Sequence, residues 1–177
     1  MYPSTRFSLI KKAIDYFSHG FSEFEQQQID AALSMVKFGM SSVYMSFRDR
    51  YYFYTGAGEK EDVALAIGGH ESAFFADLVV SYLFEVTREC FSNATYRGIY
   101  RDDGFVVFRG HLTPWDLRKW LAGFQSKVNS IIGDDFFQFT ADLWIPSGGF
   151  SEKREDGVKV VNSKMLPYLD MNIYWDE

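Results

Sequence analysis

Cysteine is nearly absent: Cys90 is the only one among 177 residues. A single thiol excludes an intramolecular disulfide and a cysteine zinc cluster, so a reducing compartment is expected, with Cys90 a buried thiol. Positive charge is also scarce. Lys and Arg number 18 against 24 Asp and Glu, a net charge of −6. That balance excludes a domain that holds nucleic acid through a basic surplus alone, and leaves an acidic site for a metal cation open. No apolar run approaches the roughly 20 residues needed to span a bilayer. The opening "MYPSTRFSLIKK" lacks the basic segment and apolar stretch of a secretory signal. The expected setting is intracellular, cytoplasmic or nuclear, with no membrane.

Aromatic residues, by contrast, make up 19% of the chain within a hydrophobic total of 47%. Disorder is excluded on that composition, and the length suits one domain, residues 1–177, with a substantial core. An excess of rings in so short a chain also raises the prospect of a face that docks on another subunit.

Apolar spacing at Phe7, Ile10, Ala13, Ile14 and Phe17 predicts a first helix that ends at Gly20. The "SEFE" beginning at Ser22 is a capping box, and Phe24, Ile29, Leu33, Val36 and Lys37 carry a second helix to Gly39. Val43 to Phe47 and Tyr51 to Tyr54 read as a hairpin or two short strands around "RDR". "ESAFFADLVVSYLFEVTREC" is apolar on nearly every face and predicts a central helix buried on more than one side.

Tyr96 to Tyr100 and Phe105 to Phe108 then flank Asp102 and Asp103 as the strands of a hairpin whose Asp-Gly dipeptide favours a two-residue turn. Thr113 is expected to cap a helix with Pro114 at its first position, running to about Ile132,. Phe136 to Ile145, Val158 to Val161 and "LPYLDMNIYW" read as three further strands, and "PSGGFSEKREDG" as a solvated loop. The resulting order is α+β, with a mostly antiparallel sheet and helices packed on one face.

Asp134 and Asp135 follow a helix and precede a strand, so they read as turn formers. His19 and His111 lack ligand-spaced partners, and His70 and Glu71 read as capping or surface residues. Asp170 alternates in the last strand and is expected to support the neighbouring hairpin. Asp102 and Asp103 differ, because apolar strands hold two anions together at a rigid tip. Such a pair calls for a cation, and a hard divalent ion with oxygen ligands, Mg²⁺ or Mn²⁺, is the natural one.

"YRDD" followed by "GFVVF" resembles the Tyr-x-Asp-Asp signature that reverse transcriptases carry on a hairpin of the polymerase palm. Two more blocks stand in the same order. "LAIGGHESAFFADLVVSYLFE" is similar to that family's glycine-rich turn and following helix. "MLPYLDMNIYW" is similar to the Phe-Leu-Asp-Leu stretch downstream of the palm in Penelope-like and related retroelement enzymes.

The resemblance implies a palm-like fold and a parent RNA-directed DNA polymerase acting on template-primer and dNTP. Asp102 and Asp103 would be the catalytic carboxylates that bind Mg²⁺ or Mn²⁺, and Gly68, Gly69 and Ser72 would approach the nucleotide or template. Met1, Tyr2 and Ser4 match the tail of the family's first catalytic block. In that register the first metal-ligand aspartate precedes Met1, so this chain alone is expected not to extend primers. The palm strand lost with it would leave an unpaired edge, and a homo-oligomer is expected. The alternative implied by the same features is a non-catalytic scaffold or dimerisation domain descended from a palm.

Overall fold

The computed structural model describes residues 5–53, 62–66, 71–100, 103–133, 137–145, 151 and 153–174. Its contacts divide into two compact units, Met1–Phe91 with Tyr96–Val106, and Ser92–Thr95 with Val107–Glu177.

In the first unit, helix α1 (Phe7–Phe17) buries Leu9, Ile10 and Ala13 and packs on helix α3 (Ser72–Val86). Pro3, expected to start α1, lies outside the described residues. The cap comes instead from far along the chain: Asp62 accepts from the Ser8 amide at 2.9 Å and from the Ser8 hydroxyl at 2.6 Å. A carboxylate at a helix N-terminus answers both the orphan amides and the helix dipole. The same segment adds backbone bonds, Phe7 N to Val63 O and Leu65 N to Thr5 O, which bury Ala64 and Leu65. Helix α3 buries Phe75, Ala76, Val79, Val80 and Leu83 and leaves Phe74, Asp77 and Ser81 exposed, as its apolar density predicts. Tyr82 meets Tyr16 edge to face; burial, with a smaller contribution from Tyr16, raises its phenol pKa.

Helix α2 (Glu23–Ser41) begins at the expected capping box: Ser22 accepts from the Glu25 amide, and Glu25 in return from the Ser22 amide. The Ser22 hydroxyl and, after it, the Ser22 amide donate to the Glu25 carboxyl and hold it below its usual range. Leu33 and Met40 are buried, yet Phe24 is 68% exposed. Phe24 therefore departs from the predicted stripe, and the reason is angular: at about 100° per residue it lies opposite Leu33. Strands β1 (Tyr44–Phe47) and β2 (Arg50–Phe53) form an antiparallel hairpin with Phe47 opposite Arg50.

In the second unit, helix α4 (Pro114–Ile132) starts at Thr113 with a capping box closed by Asp116 and ends on Gly133 in the left-handed region. The bonds from Thr113 lower the Asp116 pKa. Leu117 and Leu121 pack with Val158, Trp120, Phe139 and Leu143 beneath strands β5 (Ala141–Ile145) and β6 (Val158–Asn162). These strands are parallel, which a connection of a dozen residues permits. Lys153, Arg154, Glu155 and Asp156 of "KREDG" are exposed, as expected, while Arg154 also donates to the carbonyls of Ala141 and Gly157 and pairs with Asp142.

The last block departs from a single strand. Residues 165–174 fold back as a hairpin, β7 (Met165–Tyr168) and β8 (Met171–Tyr174), about a turn in which Leu169 has φ +54°. Asp170 thus occupies a turn and not the middle of a strand. The described strands form four two-stranded sheets, one of them parallel, within a mixed helix and strand fold. The single large sheet anticipated from sequence is not assembled among the described residues.

Candidate functional site

The hairpin at the centre of the sequence pattern is present. Strand β3 (Ala94–Tyr100) pairs with β4 (Asp103–Phe108), and a two-residue link leaves them only an antiparallel arrangement. Its base is fastened by Arg109 N donating to Asn93 O at 2.8 Å and Thr95 Oγ1 donating to Val107 O at 3.1 Å. Tyr96 lies over Gly98: a Cβ at that glycine would fall 2.8 Å from the Tyr96 hydroxyl oxygen. Across the ribbon Tyr96 meets Phe105.

Arg97, in the middle of β3, ties this hairpin to the end of α3. Its guanidinium donates to Phe84 O at 2.8 Å and to Glu85 Oε1 at 2.8 Å, and sits 5.0 Å above the Phe84 ring and 5.6 Å above that of Phe91. The carbonyls of a helix's last turn carry partial negative charge and lack intrahelical partners, so a cation there serves both needs. Sequence reasoning passed over Arg97. The available signal was a guanidinium in "ATYRGIY", where an arginine among rings needs a carboxylate, a carbonyl or an aromatic face.

Asp103 opens β4 and is exposed. Asp102, Gly68 and Gly69 lie outside the described residues, as do His70, Arg101, Asp134 and Asp135. Ser72 is placed at the first position of α3, where it is 2% exposed and its hydroxyl donates to Ala66 O at 2.7 Å. In that position it locks the preceding segment against the helix. The structure therefore places Asp103 on the hairpin and Ser72 on the helix start.

The donor chemistry fits the cation that the sequence pattern implies. A carboxylate at an exposed strand start can offer hard oxygen to Mg²⁺ or Mn²⁺. Among the described residues no three His, Cys, Asp or Glu side chains converge, so an ion held by Asp103 would take further ligands from Asp102, water or substrate phosphate. No helix of the described residues is long and apolar enough to cross a membrane. Comparisons with protein-family models, curated proteins and solved structures return no match.

Proposed function

We propose that this chain is a palm segment of a reverse-transcriptase-like, RNA-directed DNA polymerase, in which Asp102 and Asp103 hold a divalent cation. The observation that supports the reading is the β3–β4 hairpin. It sets Asp103, the last residue of the Tyr-x-Asp-Asp tetrad, at the start of β4, and Arg97 anchors it on the helix that the glycine-rich block precedes. In this reading Asp102 and Asp103 would hold Mg²⁺ or Mn²⁺, whose positive charge would favour activation of a primer 3′-hydroxyl and offset charge on the transferring phosphoryl group. The chain's own residues hold and orient: Asp102 and Asp103 present oxygen ligands, and Arg97 keeps their hairpin from drifting. Ser72 fixes the start of α3, and template or dNTP would approach Gly68 and Gly69, which precede it in the sequence.

Mn²⁺ binding followed by water-proton relaxation tests the reading. The chain is expected to bind Mn²⁺ saturably, in competition with Mg²⁺. Asp103→Asn and Asp102→Asn should each weaken binding by about tenfold or more, since each removes an anionic ligand. Binding that neither substitution alters would contradict the proposal.

The scaffold reading has one observation of its own. Phe24, Met35 and Phe38, 68%, 76% and 73% exposed, share a face of α2 opposite Leu33, a surface suited to self-association or to a protein partner.

A further inference from the structure

Helix α2 carries two apolar stripes. Ile29, Leu33, Val36 and Met40 turn toward their own unit, with Leu33 and Met40 buried and the other two half-buried. The second stripe faces the opposite way. Phe24, Gln28, Ala31, Met35 and Phe38 follow one another at alternating steps of four and three residues, the spacing of a coiled-coil seam. Phe21, just before the Ser22 cap, extends the series. Phe21, Phe24, Met35 and Phe38 are 54%, 68%, 76% and 73% exposed, and Gln28 and Ala31 are exposed between them.

Charge marks the same face. Glu23, Glu25, Asp30 and Lys37 of α2 lie beside the seam and none lies on it, although the chain as a whole carries −6. A basic partner would find no carboxylate to meet along this stripe, whereas two acidic copies meet at least cost through an uncharged one.

We propose that α2 docks on α2 of a second copy of this chain, antiparallel, about a two-fold axis between residues 29 and 30. The proposal deepens the self-association reading of this helix, on which it rests, and is independent of the metal hairpin. A two-fold contact requires that where residue i meets j, j also meets i. Under that reversal Phe21 meets Phe38, Phe24 meets Met35, and Gln28 meets Ala31, each twice. Large side chains therefore oppose one another at both ends, and the longer amide packs on the small methyl at the centre. A polar residue at one seam position also fixes register. A parallel pair would set Ala31 against Ala31 and gather Glu23 and Glu25 of both copies at one end. The antiparallel pair separates those acids and aligns the helix dipoles head to tail.

The area is sufficient for a reversible dimer. Three phenylalanines and one methionine from each copy, with roughly 100 Å² apiece left to bury, supply about 800 Å². Gln28, Ala31 and the flanks bring the contact to about 1,200 Å², the lower edge of specific interfaces. Two heptads would not hold isolated peptides, but here each helix is already folded on its own unit, so little ordering remains to oppose binding.

Sedimentation equilibrium of the full chain tests it, with a monomer–dimer transition expected on the order of 10 µM. Phe24→Lys and Met35→Glu, both at exposed positions, should each weaken the dimer about a hundredfold while leaving the circular-dichroism melt of the monomer in place. Mixing the two variants should restore dimers, because the introduced ammonium and carboxylate then face each other in one layer and the symmetry-related layer stays native. In a parallel pair those positions would lie about 16 Å apart and mixing would restore nothing. Asp103→Asn should dimerise as the unaltered chain does. A monomer throughout the concentration range overturns both this proposal and the self-association reading. A dimer that neither substitution weakens overturns this proposal alone and moves self-association to another surface. Loss in both variants without rescue on mixing overturns the antiparallel register and the proposal with it.

Discussion

Replacing Arg97 by alanine removes several contacts together: the bond to Phe84 O, the ion pair with Glu85, and the stacking over Phe84 and Phe91. Its side chain is 22% exposed and that of Glu85 41%, so the ion pair is partly screened and adds little by itself. The rings and the charged hydrogen bond to a helix-terminal carbonyl carry more. A loss of about 2 kcal/mol is expected for Arg97→Ala in urea unfolding, with Arg97→Lys recovering only part of it, since an ammonium cannot reach carbonyl, carboxylate and two ring faces at once. If Arg97→Ala leaves the unfolding midpoint unchanged, the hairpin is held by something else. Ser72 carries the converse lesson. The glycine-rich block marks it as a substrate contact, whereas its 2.7 Å bond to Ala66 O commits the hydroxyl inward, because a buried hydroxyl without a partner is costly.

At the scale of elements, the turn of the β7–β8 hairpin holds a branched apolar residue where the backbone disfavours one. Leu169 has φ +54° and is 45% exposed, so it is strained without being fully buried in return. Leu169→Asn, which tolerates the left-handed region, is expected to raise thermal stability by about 0.5–1 kcal/mol. A destabilised variant would mean that the Leu169 side chain contributes more through packing than the turn costs.

The same turn explains where sequence reading stopped. "LPYLDMNIYW" offers no glycine, asparagine-glycine or proline pair at residues 169–170, so alternation alone read it as one strand. Helix α4 was legible to the residue, since Thr113, Pro114, Asp116 and Gly133 each perform a standard terminal role,. Helix α1 was legible in extent but not in its start. Its cap is Asp62, 54 residues from Ser8, and no local pattern announces a partner that distant.

At the scale of the whole molecule, the chain combines a net charge of −6 with rings left exposed on α2 and on the β1–β2 ribbon. The mixed helix and strand class and most helices follow from periodicity. How strands associate does not, because sheet partners are chosen by tertiary packing and register, which single-strand patterns leave open. The parallel pairing of β5 with β6 is one such outcome. The candidate site divides along the same line: the hairpin around the aspartates was legible from its apolar flanks, whereas the Asp103-Gly104 dipeptide expected to turn it lies inside β4, and the anchor on α3 was not legible.

The central claim is that the β3–β4 tip holds a divalent cation, and iron-directed cleavage tests it where it matters. Fe²⁺ in place of Mg²⁺, with ascorbate and peroxide, generates hydroxyl radicals that cut backbone near the bound ion. Mapping the fragments by mass spectrometry is expected to place the cuts around residues 100–105, suppressed by excess Mg²⁺ and by Asp103→Asn. Cleavage centred elsewhere, or undiminished by Asp103→Asn, would contradict it.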